Sequence, residues 1–235
     1  MGQFSVGLSH MARAMFLVGV FIFVCLFWMT SDTINAAVTC QPPESAPYVS
    51  FTANPGQPRY DNSKSKNRLR SLNRTYGQHT AGWSPIGLTL ADRSMRIAVT
   101  VRSEQLSDGS FCSNLSSVEA TVEYNSIDVY IANIYERGSC QYSAILDHER
   151  RHVGVFNDTL MEFAPRIERR LYEAAGAIRP QHSSNHKKAA KVLQDKLERA
   201  VNPMFDEFDR VLARRNGALD TEENYREELK ECPSW

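Results

Sequence analysis

The sequence has no surplus of either charge: 27 lysines and arginines stand against 27 aspartates and glutamates in 235 residues. Binding to nucleic acid or to an anionic membrane surface draws on a basic excess, so composition calls for neither partner. No glycine-rich phosphate loop occurs and no segment repeats, which leaves nucleotide-loop chemistry and solenoid folds without support. Cysteine is scarce at five, and no two stand as C-x-x-C, so paired-cysteine zinc ribbons and redox motifs are excluded. Long apolar runs are limited to one, AMFLVGVFIFVCLFWM from Ala14 to Met29, preceded by Arg13.

That run is short for a membrane span, which needs about twenty residues, and suits the core of a signal peptide. Small residues follow at Ala36 and Ala37, where cleavage is expected. Residues 1–36 are then a signal peptide or, alternatively, an uncleaved N-terminal anchor, the one way this chain would hold a membrane. Either way the remainder is expected outside the cytoplasm, secreted or periplasmic. Cys25 leaves with the signal, and Cys40, Cys112, Cys140 and Cys232 remain. An even number in an oxidising compartment reads as two disulfides, with Cys112–Cys140 and Cys40–Cys232 favoured among three connectivities.

About 199 exported residues suffice for one sizeable core. Residues 37–62, rich in proline, read as an extended leader, and 63–235 as a single domain. A short helix is expected over Lys64–Asn73. Strand-like alternation runs through Ile86–Leu90 with Arg96–Arg102, then Val118–Tyr124 and Ile127–Tyr135. Asn125-Ser126 is read as a tight turn, and Ser107–Ser117 as a longer loop. The fold class is α+β: a small antiparallel sheet over 86–135, then a helical part over 139–231.

Ser139 is placed to cap a helix carrying His148-Glu149-Arg150-Arg151-His152, an H-E-x-x-H array. Residues four apart lie on one helical face, so both imidazoles can reach one metal ion. With about 100° per residue, His148, Glu149 and His152 share the half of the helix that holds Ile145, Val153, Phe156, Leu160 and Phe163. Asp147, Arg150, Arg151, Asn157 and Asp158 take the other half, with Asp147 and Arg151 spaced for an ion pair. Three polar groups converging on an apolar arc point to zinc bound by His148 and His152, with Glu149 as general base.

The apolar phase persists beyond Pro165 through Ile167, Leu171 and Ala174, predicting one helix through that proline. A polar loop over Gln181–Asn185 and a second helix over Lys187–Arg215 would complete a long antiparallel helical hairpin. A last short helix is expected over Glu222–Lys230, opened by Asp220 or Thr221. A turn of this hairpin near His182 sets His152 opposite Leu212 and draws the third zinc ligand from Asp209–Glu223. Asp220 is the first candidate and His79 its rival.

Through HERRH the chain resembles the zincin metallopeptidases. Its layout over Tyr60–Leu160, with a short helix at RLRSL, strands with a cysteine between them and then H-E-x-x-H, is similar to a family of secreted, poorly characterised proteins taken to be zinc-dependent proteases. The resemblance implies a zinc-dependent peptidase fold acting on peptides or proteins, with Glu149 as general base. Two familiar third-ligand positions do not carry over. Asp158 has the metzincin spacing but lacks the turning glycine, where Val155 stands, and Glu173 has the gluzincin spacing but an unreversed helix carries it away. The functional expectation is an extracytoplasmic zinc-dependent hydrolase, a peptidase; the alternative is a non-catalytic, disulfide-stabilised binding or scaffold domain.

Overall fold

One strand of 21 residues, β4 (Phe111–Ile131), organises the sheet. From Leu115 onward its buried side chains are Leu115, then Val118, Ala120, Val122 and Tyr124, then Ile127, Val129 and Ile131. That is a period of two with one extra residue after Leu115 and another after Tyr124. The slips coincide with the two register shifts against β3 (Gly87–Gln105), which leave Ser116 and Asn125 unpaired. Both are β-bulges, which add a residue and bend a strand without ending it. Asn125-Ser126 is therefore not the tight turn expected: with no glycine to take a left-handed turn, the chain absorbs the extra residue and continues. The true hairpin lies between β3 and β4, where Gly109 at φ 82° closes a short loop and donates its N–H to the Leu106 carbonyl at 3.0 Å.

The computed structural model describes residues 39–75 and 85–235. The apolar run, the expected cleavage site, Cys25 and His79 lie outside the described residues. β3 takes one edge of β4 along its whole length. The other edge is shared by β1 (Tyr48–Asn54) and β2 (Pro58–Asp61), both parallel to β4, and by the short antiparallel β5 (Gln181–Ser183). The sheet is thus mixed, not antiparallel as expected, and part of the supposed surface leader supplies two of its strands. Gly56 joins β1 to β2 where a Cβ would sit 2.8 Å from Ile127 and Tyr124. Its N–H and carbonyl both pair with the side chain of Asn157 at 2.9 Å, so Asn157 serves the sheet instead of facing water.

Helix α1 (Lys66–Thr75) starts two residues later than expected, with Ser65 accepting from the Arg68 N–H just before it, and buries Leu69 completely. Helix α2 (Cys140–Ala177) opens where Ser139 accepts from the Tyr142 N–H at 3.1 Å and runs through Pro165. Helix α3 (His186–Leu219) likewise runs through Pro203, and α4 (Glu222–Leu229) is capped by Thr221. Phe156, Leu160, Phe163, Ile167 and Leu171 of α2 form one core with Leu193, Leu197, Val201 and Phe208 of α3 and the inward side chains of β4. Each such side chain, fully buried, contributes about 1.5–3 kcal/mol. Across the helix pair, Arg170 donates to the Ala200 carbonyl at 2.9 Å, Arg166 meets Glu207 at 2.7 Å and Arg215 donates to Thr159 at 3.0 Å. Partners thus fall along α3 as they rise along α2. His152 faces Asn216, one turn beyond the expected Leu212.

Two disulfides are present among the described residues, Cys40–Cys112 and Cys140–Cys232. The favoured pairing is corrected, and the uninterrupted β4 is the reason. It carries Cys112 roughly 60 Å of strand away from the end that feeds α2, at about 3.3 Å per residue. Two bridges closing loops of 72 and 92 residues belong to an oxidising, extracytoplasmic environment. No helix among the described residues is long and apolar enough to cross a membrane.

Candidate metal centre

The inward face of α2 is polar over its third and fourth turns. His148, Glu149 and His152 are 3%, 5% and 7% exposed, so all three side chains are withdrawn from water. Asp220, the C-cap of α3, reaches them from the far end of the helix pair. Its Oδ1 lies 3.2 Å from the Nε2 of His148 and 3.2 Å from the Nε2 of His152, and the two Nε2 atoms are 3.1 Å apart.

The outer ring nitrogens show which way the protons point. His152 Nδ1 lies 2.8 Å from Asn216 Oδ1, and Asn216 commits its amide N–H to the Leu212 carbonyl at 3.1 Å. Asn216 therefore accepts, and His152 carries its proton on Nδ1. His148 Nδ1 is 2.8 Å from Glu228 Oε1, a carboxylate that only accepts. When neutral, both imidazoles thus aim bare Nε2 lone pairs at a carboxylate oxygen. Tyr225 holds that same oxygen with a 2.6 Å hydrogen bond.

Three acceptor atoms at mutual contact require a positive charge between them. A proton answers in part: burial alone would lower His148, but the hydrogen bond to Asp220 and the charges of Glu149 and Glu228 outweigh it and raise its pKa to about 9. Asp220 is held far below the usual carboxylate range by the two imidazoles and Tyr225, against the opposing effect of burial. A divalent cation also fits. Ligand atoms on one face of a tetrahedron with bonds of about 2.05 Å stand about 3.3 Å apart, close to the spacing here. His148, His152 and Asp220 form the one three-residue group among the described residues able to hold a metal ion. Two imidazoles and a carboxylate suit zinc, and also ferrous iron.

Glu149 lies behind the ligands. Its Oε2 accepts from Thr89 Oγ1 at 2.6 Å, and its Oε1 rests against the Cα of Gly87, where a side chain would collide. Burial raises its pKa, although His152, Thr89 and His148 all pull the other way. The strand start Gly87–Thr89 is thus a seat for one carboxyl group. Compared with protein-family models, with curated proteins and with solved structures, the chain matches none.

The expected site residues His148, Glu149, His152 and Asp220 come together, and Asp158 and Glu173, which the sequence reading set aside as ligands, are exposed and outside the cluster. Arg151 pairs with Glu228, and Asp147 pairs with Arg150, in place of the expected Asp147–Arg151 contact. The sequence reading missed Thr89, Gly87, Asn216, Tyr225 and Glu228. For Tyr225 and Glu228 a signal existed: they stand three apart on the short helix that follows Asp220.

Proposed function

We propose that this protein is an extracytoplasmic zinc-dependent hydrolase, a peptidase, with zinc held by His148, His152 and Asp220 and Glu149 as general base. The observation that carries the reading is the convergence of two Nε2 atoms and Asp220 Oδ1 within 3.1–3.2 Å beside a buried carboxyl group. Zinc supplies Lewis acidity, lowering the pKa of a coordinated water to about 7 and polarising a carbonyl. Zinc is preferred to ferrous iron because the disulfides belong to an oxidising environment.

Glu149 is fitted for proton transfer by its setting. Burial favours its protonated form, so it takes a proton from an attacking water and gives it to the departing amine. Thr89 fixes one of its oxygens, and the bare Cα of Gly87 makes room for the other. Tyr225 steadies Asp220.

A single preparation tests the reading: metal content after purification, then hydrolysis of a mixed peptide library. Near-stoichiometric zinc is expected, and Glu149→Gln should retain it while losing at least about a hundredfold in hydrolysis. Absence of metal, or undiminished hydrolysis in Glu149→Gln, overturns it. A second reading draws on the coverage of His148, which Tyr225 stacks upon at 5.1 Å: a closed, non-catalytic metal site in a binding or scaffold domain. Bound zinc with no hydrolysis of any peptide would identify that case.

A further inference from the structure

The two imidazoles are held by unlike supports. His152 takes its outer partner, Asn216, from within α3, whose packed face includes the buried Val201, Phe205 and Phe208. His148 takes Glu228 from α4, a helix with no buried residue. Apolar packing therefore does not fix α4 in place. What holds it is its two ends and its polar contacts. At its start it follows directly from Asp220. Just past its end, Cys232 is bonded to Cys140, the first residue of α2, two turns before His148. Between those ties lie the Tyr225 hydrogen bond to Asp220, the Tyr225 ring on His148, and Glu228 against both His148 and Arg151. Gln141 bonds to Ser234, and Trp235 donates to the Leu229 carbonyl at 2.7 Å.

We propose that α4 is a clasp on the metal centre, kept closed by the Cys140–Cys232 disulfide, in which Glu228 is the positioning residue that turns His148 Nε2 toward the metal. The inference rests on the metal reading above. Glu228 accepts the Nδ1 proton of His148, so the lone pair stays on Nε2; without an acceptor the ring is free to rotate or to carry its proton on the other nitrogen. Arg151 fixes the Glu228 carboxylate in turn. Cutting the disulfide removes the tie that keeps Glu228 within reach, leaving His152 and Asn216 untouched. One imidazole is held independently of the clasp and the other is conditional on it.

The test uses the full oxidised chain, zinc affinity by competition with a chromogenic chelator, and the visible absorption of the cobalt(II)-loaded protein. Glu228→Leu is expected to weaken zinc about 10–100-fold and to change the cobalt spectrum. Glu228→Gln, which keeps an acceptor oxygen, should recover most of the affinity and the wild-type spectrum. Cys140→Ser with Cys232→Ser should weaken zinc by a similar factor, and adding Glu228→Leu to that pair should weaken it no further. Unchanged affinity and spectrum in Glu228→Leu overturn the proposal, as do fully multiplicative losses in the combined variant. Should the serine pair fail to fold, the two Glu228 variants decide alone. Wild-type protein that binds neither zinc nor cobalt sinks the metal reading itself. Wild-type binding with an indifferent Glu228→Leu sinks only the clasp.

Discussion

From Val153 to Ala175 the inward face of α2 is apolar and closed against α3 and β4; from His148 to His152 the same face is polar and closed against Asp220, Thr89 and α4. One amphipathic phase serves both stretches. The difference is what meets them: ring-on-ring contacts such as Phe163 with Phe208 at 5.3 Å in the first, hydrogen-bonded carboxylates in the second. Stability is concentrated in the long stretch and chemistry in the short one. The apolar stretch also carries the polar residues that anchor its edges, such as Thr159 to Arg215, so the helix pair delivers Asp220 to the imidazoles at a set height.

The comparison breaks hardest in the apolar half. Phe163→Ala should cost about 3–5 kcal/mol in chemical denaturation, because the core cannot collapse around the space left between two helices. Next is the polar half: zinc at a thousandfold excess over its dissociation constant should stabilise the wild type by about 4 kcal/mol and His152→Ala not at all, read from denaturation with and without zinc. A smaller effect is expected at the seam. In Gly87→Ala the new Cβ would lie 2.7 Å from Ile145 Cγ2 and closer still to Glu149 Oε1. A loss of about 1–3 kcal/mol should follow, with hydrolysis reduced more than zinc content.

The smallest effect separates the halves by pH. Tyr124, buried among apolar groups, donates to the Phe156 carbonyl at 3.3 Å, and burial pushes its pKa up from 10.0 to about 12. The folded state therefore holds this proton more tightly than the unfolded chain. Its contribution is complete below pH 10 and is lost as pH rises through about 12. Wild type should lose stability across that window more steeply than Tyr124→Phe, while zinc-dependent stabilisation at neutral pH stays the same in both.

Much of the helical part was legible because helical evidence is local. Ser139 announces the start of α2, an unbroken apolar phase carries it through Pro165, and the H-E-x-x-H spacing places two imidazoles on one face. Asp220 was within reach of the same reasoning, since cap residues are recognisable and the end of α3 had to lie near the start of α2. The sheet was less legible. A bulge and a turn begin with the same slip in alternation, and Asn125-Ser126 does not announce which one follows. Pairing of β1 and β2 with a strand 69 residues downstream leaves no mark in either segment. Glu228 and Tyr225 escaped notice because a short charged helix reads as a solvated face until the disulfide that folds it back is known.

That separation also governs when the molecule can acquire its shape. β1 and β2 reach the solvent with no neighbour, and the lane they occupy exists only after β4 has been delivered to their side. Pairing of β1 and β2 is therefore the high-contact-order part of the sheet, expected to follow the local β3–β4 hairpin, and their bare edges are adhesive until it happens. In the finished molecule the Cys40–Cys112 bridge fastens the chain ahead of β1 to the first residues of β4, holding that late-pairing segment beside its lane.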